Sequence, residues 1–495
     1  MKRFNYFVMS LISAAAFTFT ACSSSDDLNG GGSGEAKVDG FYMTLTVQTP
    51  TTTGTRTAQE NEYNATEAES AITSGTFYLV EPSGKIAYTK NITEKEFENI
   101  KFQDKATGQT TLKVPVQDVN EGVQYTVYFL ANTPNAKPWE DVLTANTLFA
   151  SPYADANKFV MFNENDKNVN GKGYTVSFTA ANKDTATPAS VTGGVIKLER
   201  ITARIDQPKT EATKIVANIV SEGENATPED EKQARLDAEA KVSSVALTGY
   251  AISNVPNKSY IMQHWEDLTI TNPILKIPTG IAYWQNKDAF GTETKYVDGG
   301  FVKIQTGTTH QDYVFENYAT AEDATSMYFE YTVTLNADEI KTKTGFDADA
   351  KDGTFYRYNG IIYNSFNAIY KDYKGDAVNT LMFGGNTAEQ MVGLLYDETG
   401  KVKLTEDELD TFRKNYTIEV FKGGKTYYKQ AIKDNNIGYD YAIQRNTVYQ
   451  LNVKNIYNLG ADVPNSKKDQ KPLYYLDVEV SVNPWVLNTQ DVYLK

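Results

Sequence analysis

Histidine occurs only at His264 and His310, and the single cysteine is Cys22. A Ser or Cys nucleophile with an imidazole base needs a histidine beside a carboxylate, and no nucleophile-elbow motif accompanies either one. Two distant histidines and a body without thiols leave no ligand set for structural zinc. The stretch Asp347-Ala-Asp349-Ala-Lys351-Asp352-Gly353 begins with the acidic spacing of a calcium loop. Lys351 stands where a third ligand belongs, the glycine comes one place late, and Tyr358 holds the bidentate glutamate's position, so an acidic turn is expected. Asn163 to Gly173 reads as a solvated loop. With 63 acidic residues some carboxylates must meet by chance, and Trp139 and Trp265 fit a strand-rich core better than a sugar platform. No constellation points to catalysis, a metal or a cofactor.

The one side chain with a clear covalent fate is Cys22. Lys2 and Arg3 precede the apolar stretch Phe4 to Ala21, which is too short for a convincing membrane span and ends Phe19-Thr20-Ala21-Cys22. Small residues before the cysteine resemble a bacterial lipobox, so residues 1–22 are expected to be a lipoprotein signal with Cys22 the lipidated residue. The exported body then holds no thiol and no disulfide, and its stability must come from burial and hydrogen-bonded sheets. Ser23 to Gly34 is small, polar and glycine-rich, a flexible tether. A formal charge of −15 argues against nucleic acid and against a polybasic hold on lipid, leaving the Cys22 lipid as the only membrane contact.

The elements that follow read mostly as strands. Thirty-three tyrosines and frequent threonines favour a pleated, half-buried surface. From Val38 to Thr49, Phe41, Met43, Leu45 and Val47 alternate with polar residues, the period of a half-buried strand, before Pro50 and the Thr51–Thr55 run end it. Arg56, followed by Thr57, lies in that polar stretch, open to a protease. Further runs are Thr76–Val80, Val123–Leu130, Tyr174–Phe178, Gly193–Asp206, Val242–Val255, Ile274–Trp284, Met327–Leu335 and Tyr416–Phe421. Thr227-Pro228 and the acidic residues after it mark one helix start, and Thr405 with Glu408 forms a capping box for another. Near the end come Tyr441–Val453 and the strictly alternating Leu476, Val478, Val480 and Val482. The expected divisions are 1–22, a tether and removable strand at 23–56, and domains at 57–208 and 209–495.

Cutting after Arg56 would remove the strand Val38–Thr49 and expose an apolar slot with unpaired edges, a template for another chain. An extended C-terminal segment on a neighbour could fill it. Donor and slot lie apart on one molecule, so the contact is head-to-tail and grows a filament. Two stretches could serve as donor, Leu476–Val482 or Trp485–Leu494. The second reaches the free end, and its Trp485, Leu487, Val492 and Leu494 are the expected inserted residues, whereas the first is suited to closing the subunit's own sheet.

The chain resembles the fimbrillin, or type V pilin, family, and within it shaft subunits of short fimbriae. The features that carry the likeness are the Cys22 lipobox, Gly54-Thr55-Arg56-Thr57, Leu198-Glu199-Arg200-Ile201-Thr202-Ala203-Arg204, Arg445–Val453 leading to Asn458-Leu459-Gly460, and Val478–Trp485. The resemblance implies two β-sandwich-like (transthyretin-like, Greek-key) domains with a few short helices. It also implies export as an outer-membrane lipoprotein, cleavage between Arg56 and Thr57 by an arginine-specific protease, and strand exchange into a cell-surface fimbria. The implied partners are further copies of the chain, anchor and tip subunits, the protease, and host or bacterial surface receptors. The alternative is a monomeric surface lipoprotein that binds a glycan or another nutrient.

Overall fold

The structure is a computed structural model. It describes residues 40–49 and 65–490 apart from 105–108, 134–141, 146–149, 151, 165–172, 218–228, 266–273, 285–300, 308–309, 321–322, 374–381, 435–440, 465–475 and 484–487. The alternating run near the N-terminus forms β1 (Phe41–Gln48). It is followed by β2 (Gly75–Val80), β3 (Ile86–Ile92), β4 (Lys101–Asp104), β5 (Gln109–Val116) and β6 (Gln124–Ala131). Then come β7 (Val142–Thr144), β8 (Met161–Asn163), β9 (Thr175–Ser177), β10 (Ala189–Ser190), β11 (Ile196–Arg200) and β12 (Thr202–Asp206).

In the first half the strands run in the order β3-β2-β6-β8-β11-β1-β5-β4, with β10 alongside β1 and β9 alongside β6. The path folds over one core, because Leu45 and Leu112 from one limb pack in the same apolar cluster as Phe77, Val127 and Phe129 from the other. The run Gly193–Asp206, expected as one strand, is broken at Ile201. That side chain is fully buried in a separate cluster with Tyr78, Leu130, Phe162 and Phe315, so the chain changes sheets there.

From β12 onward a second sheet is built in the order Gln311–Phe315, β12, Val448–Ile456, Leu476–Asn483 and Asn488–Gln490. Facing it are Val302–Lys303, Val242–Ser253, Ser326–Leu335 and Lys425–Ala431, and the largest core lies between the two. Between Leu335 and Lys425 the described chain makes an insert with the helices Ala337–Thr344, Phe366–Asp372, Ala388–Leu395 and Glu406–Tyr416, the last three packed around a core of their own. Thr387 with Gln390 and Thr405 with Glu408 cap the last two through reciprocal side-chain and backbone bonds. No described helix is long and apolar enough to cross a membrane.

Candidate functional site: the seated first strand and the joint beside it

β1 sits inside its sheet and not at an edge. All eight of its residues pair antiparallel with β5, from Phe41 opposite Val116 to Gln48 opposite Gln109. Its other side runs parallel to β10 (Met43 opposite Ala189) and to β11 (Val47 opposite Ile196). Met43, Leu45 and Val47 are 0% exposed and Phe41 7%. At roughly 1.5–3 kcal/mol per buried apolar side chain, these four give a gross stabilisation of about 6–12 kcal/mol. On the other face Thr46 Oγ1 meets Thr111 Oγ1 at 3.0 Å. The Phe41 ring lies 5.2 Å from that of Phe178, and Lys183 Nζ sits 5.4 Å from its centroid. Entry to the slot needs glycine, because a Cβ on Gly40 would lie 2.4 Å from Val116 O.

Cys22, Arg56, Thr57, Trp485, Leu487, Val492 and Leu494 lie outside the described residues. Leu476–Asn483 pairs along Val448–Ile456 of its own chain, with Leu476, Val478 and Val480 in the core. Asn488–Gln490 turns back to pair with Val480–Val482.

Two of the motifs that carried the family likeness, Leu198–Arg204 and Arg445–Val453, meet at a buried joint between the two halves. Arg200, fully buried, donates from Nε to Glu69 O at 2.7 Å, from Nη2 to Ser70 Oγ at 3.0 Å and from Nη1 to Asn446 Oδ1 at 3.1 Å. Burial pushes its guanidinium down to about 9, while the nearby Glu69 charge supports it. Arg204 Nη1 reaches Glu69 Oε1 at 3.0 Å and Arg204 Nε reaches Asp206 at 2.8 Å. Tyr313 also donates to Glu69 Oε1, at 2.8 Å, and the Thr66 amide to Glu69 Oε2, at 2.7 Å. Burial works to raise the Glu69 carboxyl, but the Thr66 amide, Arg204 and Tyr313 together hold it below its ordinary value.

A second staple is Arg445, whose side chain is 0% exposed against Glu316 at 2.6 Å. It also donates to Ile261 O at 2.5 Å and Tyr260 O at 2.6 Å. This holds the strand Lys258–Tyr260, which pairs across the joint with β7 of the first half. Asn446, beside it, takes a left-handed φ of 52°, which Asn tolerates better than most residues. Gly460 is fixed for a different reason: a Cβ there would lie 2.1 Å from Tyr427 O, while Arg357 donates to its carbonyl at 3.1 Å.

The acidic stretch around Asp349 is a structural turn. Asp349 accepts from the Phe366 amide at 2.7 Å, and Asp352 accepts from the amides of Thr354 and Val402 at 3.0 and 3.2 Å. Among the described residues no group of three His, Cys, Asp or Glu could hold a metal. Burial raises the Asp349 carboxyl to about 6, against the Phe366 amide bond. A raised carboxyl contributes stability below the unfolded pKa and loses it as pH rises through the folded one. Asp349→Asn is therefore expected to match the parent near pH 4 and exceed it by about 1–3 kcal/mol at pH 7, read from denaturant melts across that range. A constant difference between pH 4 and pH 7 would contradict this assignment.

His264 packs edge-on to Tyr260 at 4.6 Å, and burial, then the Arg445 and Lys276 charges, hold its imidazole below the ordinary value. His310 bonds to the buried Asp312 at 3.1 Å. Neither is described with a nucleophile. The sequence motifs Leu198–Arg204 and Arg445–Val453 give no sign of the task of their arginines, and Glu69 belongs to neither motif. Glu69 carries a local capping-box signature with Thr66, but nothing in that polar stretch shows that Arg204 and Tyr313 will close on its carboxylate.

A mostly β subunit with one strand threaded through its interior and a stapled joint between halves suits a building block of an extended assembly. Residues 42–200 match the family model for the major fimbrial subunit protein (FimA), and residues 419–491 match that for the fimbrillin C-terminal region of the type IV major fimbrial subunit protein. In these two regions the chain is similar to fimbrillins. The matched families are those of fimbrial subunits, which supports a role as a subunit of a cell-surface fimbria. Among curated proteins none matches the chain.

Three solved structures from Parabacteroides distasonis resemble it loosely. A proposed cell adhesion protein shares 12% identity, covering 90% of this chain and 97% of its own, at a TM-score of 0.44. A second proposed cell adhesion protein shares 12%, covering 89% and 98%, at 0.41. A fimbrial assembly protein shares 14%, covering 60% and 99%, at 0.28. Likeness of this degree says nothing about function.

Proposed function

We propose that this chain is the shaft subunit of a fimbria, exported as a lipoprotein through Cys22, cut between Arg56 and Thr57, and polymerised head-to-tail by strand exchange. The observation that carries this reading is the seating of β1. It is buried on one face, hydrogen-bonded along both edges, and joined to the body by a segment whose only basic residue is Arg56. Such a strand completes the fold of the exported precursor, and its loss leaves a slot that only another extended strand can fill. The neighbour's Trp485–Leu494 segment is the donor: Leu476, Val478 and Val480 are in their own subunit's core, whereas Asn488–Gln490 is held in its own subunit only by three edge pairs with Val480–Val482, which it gives up on insertion. Association entropy and unpaired polar groups subtract several kcal/mol from the gross gain. In this reading burial and ladder hydrogen bonds, rather than a disulfide, hold the subunits together.

In this reading 57–208 and 209–495 are the two domains of the assembled subunit. Partners are copies of the same chain, anchor and tip subunits, an arginine-specific protease, and the surface receptors through which a fimbria supports adhesion and colonisation. N-terminal sequencing of surface-harvested filaments is expected to start at Thr57, and deletion of 485–495 to leave a folded, cleavable monomer on native gels. Filaments from that deletion, or harvested material still starting before β1, would overturn the proposal.

A further inference from the structure

β11 is the parallel wall of the slot. Its Ile196 and Lys197 pair with Val47 and Gln48 of β1, and its remaining ladder is three pairs with β8, from Leu198 to Arg200. If β1 departs, as the proposed maturation requires, β11 loses its neighbour on one side and the apolar side chains that pack against it. Something else must hold the wall in place until a replacement strand arrives.

The side chain that ends this wall is Arg200. Two of its partners, Glu69 O and Ser70 Oγ, belong to the short turn Glu67–Ser70. That turn lies just downstream of the Arg56 cut, so it stays with the trimmed subunit. It is sewn down independently of β1. Glu69 is bonded by Arg204 and Tyr313. Asn157 donates to Ala68 O at 2.8 Å, and Asn132 Nδ2 to Ala71 O at 3.0 Å. The upstream side of the cut has no part in these bonds.

We propose that Glu69 is a positioning residue for strand exchange: its carboxylate ties the new N-terminal segment to Arg204 and Tyr313, so that the turn's Glu69 carbonyl and Ser70 hydroxyl stay in place to hold Arg200 at the end of β11 and keep the vacated slot in a shape that accepts an incoming strand. The proposal rests on the strand-exchange reading above. In the intact chain β1 and Glu69 hold β11 together. In the trimmed chain the anchor acts without β1, so the same substitution has unequal effects in the two forms.

The test uses the full chain, cut with an arginine-specific protease and stripped of its first strand in mild denaturant, with a fluorescent peptide of residues 38–49 as probe. This peptide is the slot's own strand, so the measurement is independent of which C-terminal stretch is the donor. Glu69→Gln is expected to weaken peptide binding by about tenfold or more and to lower the melting temperature further in the trimmed chain than in the intact one. Ser70→Ala, which removes a single Arg200 contact and leaves the ion pairs intact, is expected to act in the same direction but less. Equal melting losses in both forms with unchanged peptide affinity would show Glu69 to be an ordinary structural residue and overturn the proposal. A parent chain that fails to take up the peptide would overturn the vacated slot itself, and this inference with it.

Discussion

Leu45→Asp is expected to unseat the first strand from the uncut chain, at a cost of about 4 kcal/mol or more. Leu45 is 0% exposed and stands opposite Leu112, also 0% exposed, in the middle of the β1–β5 ladder. The substitution removes a buried aliphatic group and asks the slot to take a carboxylate with no partner in the apolar cluster. Because β1 is joined to the body only through its C-terminal end, the chain's easiest relief is to let the strand leave. The mutation should thus imitate proteolysis. Combined with Arg56→Ala, it is expected to produce uncut chains that associate head-to-tail, whereas Arg56→Ala alone stays monomeric. Melting curves read the first effect, and light scattering of the uncut double variant reads the second. Tyr42→Asp supplies the control, since Tyr42 lies on the partly exposed face, where a charge costs about 0.5 kcal/mol or little more. An uncut Leu45→Asp chain that melts with the parent would refute the idea that β1 is held by its inward face.

Arg445→Met is expected to cost about 3–5 kcal/mol, because it strands Glu316 as a buried charge without its cation. Glu316 is 3% exposed and would keep only Gln263 Nε2 at 2.6 Å and the Arg445 amide at 3.3 Å as donors. The carbonyls of Tyr260 and Ile261 lose the same guanidinium, so the ribbon between Lys258–Tyr260 and β7 should loosen. Hydrogen exchange is expected to rise in both of those strands. Replacing both partners, Arg445→Met with Glu316→Met, should restore part of the loss, since Glu316 is no longer left as a buried charge, while Glu199, 3.8 Å from Arg445 Nη1, still loses its ion pair. Denaturant melts of the two variants decide the matter; a single variant as stable as the parent would mean that the staple contributes nothing.

Much of the strand inventory was legible because a period of two is a local property. The alternation in Phe41–Val47 and Leu476–Val482 needs only the pleat and one buried face, and both runs form strands. The Thr405 capping box was legible for the same reason: its bonds close within one turn. Longer runs misled. Ile274–Trp284 looked continuous, yet only Leu275–Lys276 and Tyr283–Trp284 pair, with Pro278 and the left-handed Gly280 between them. Tyr441–Val453 divides at Gln444–Thr447, where Arg445 turns into the joint. Three of the insert's helices went unread, although Thr387 with Gln390 carries the same capping signature as Thr405 with Glu408. The helix after Thr227 begins in the described residues at Glu229.

By itself the sequence determined that the chain is strand-rich and that its first strand has one apolar face, since each follows from residue type and spacing along the backbone. It also placed a lone arginine just past that strand. What only the tertiary structure decided is that this strand lies between β5 and β11 rather than at an edge, and that Glu69, Arg200, Arg204 and Tyr313 meet. Those facts depend on which segments become neighbours across gaps from 61 residues, between Gln48 and Gln109, to 244, between Glu69 and Tyr313. Long-range pairing of that kind is set by the summed burial of the whole core, which leaves no mark on any single stretch of chain.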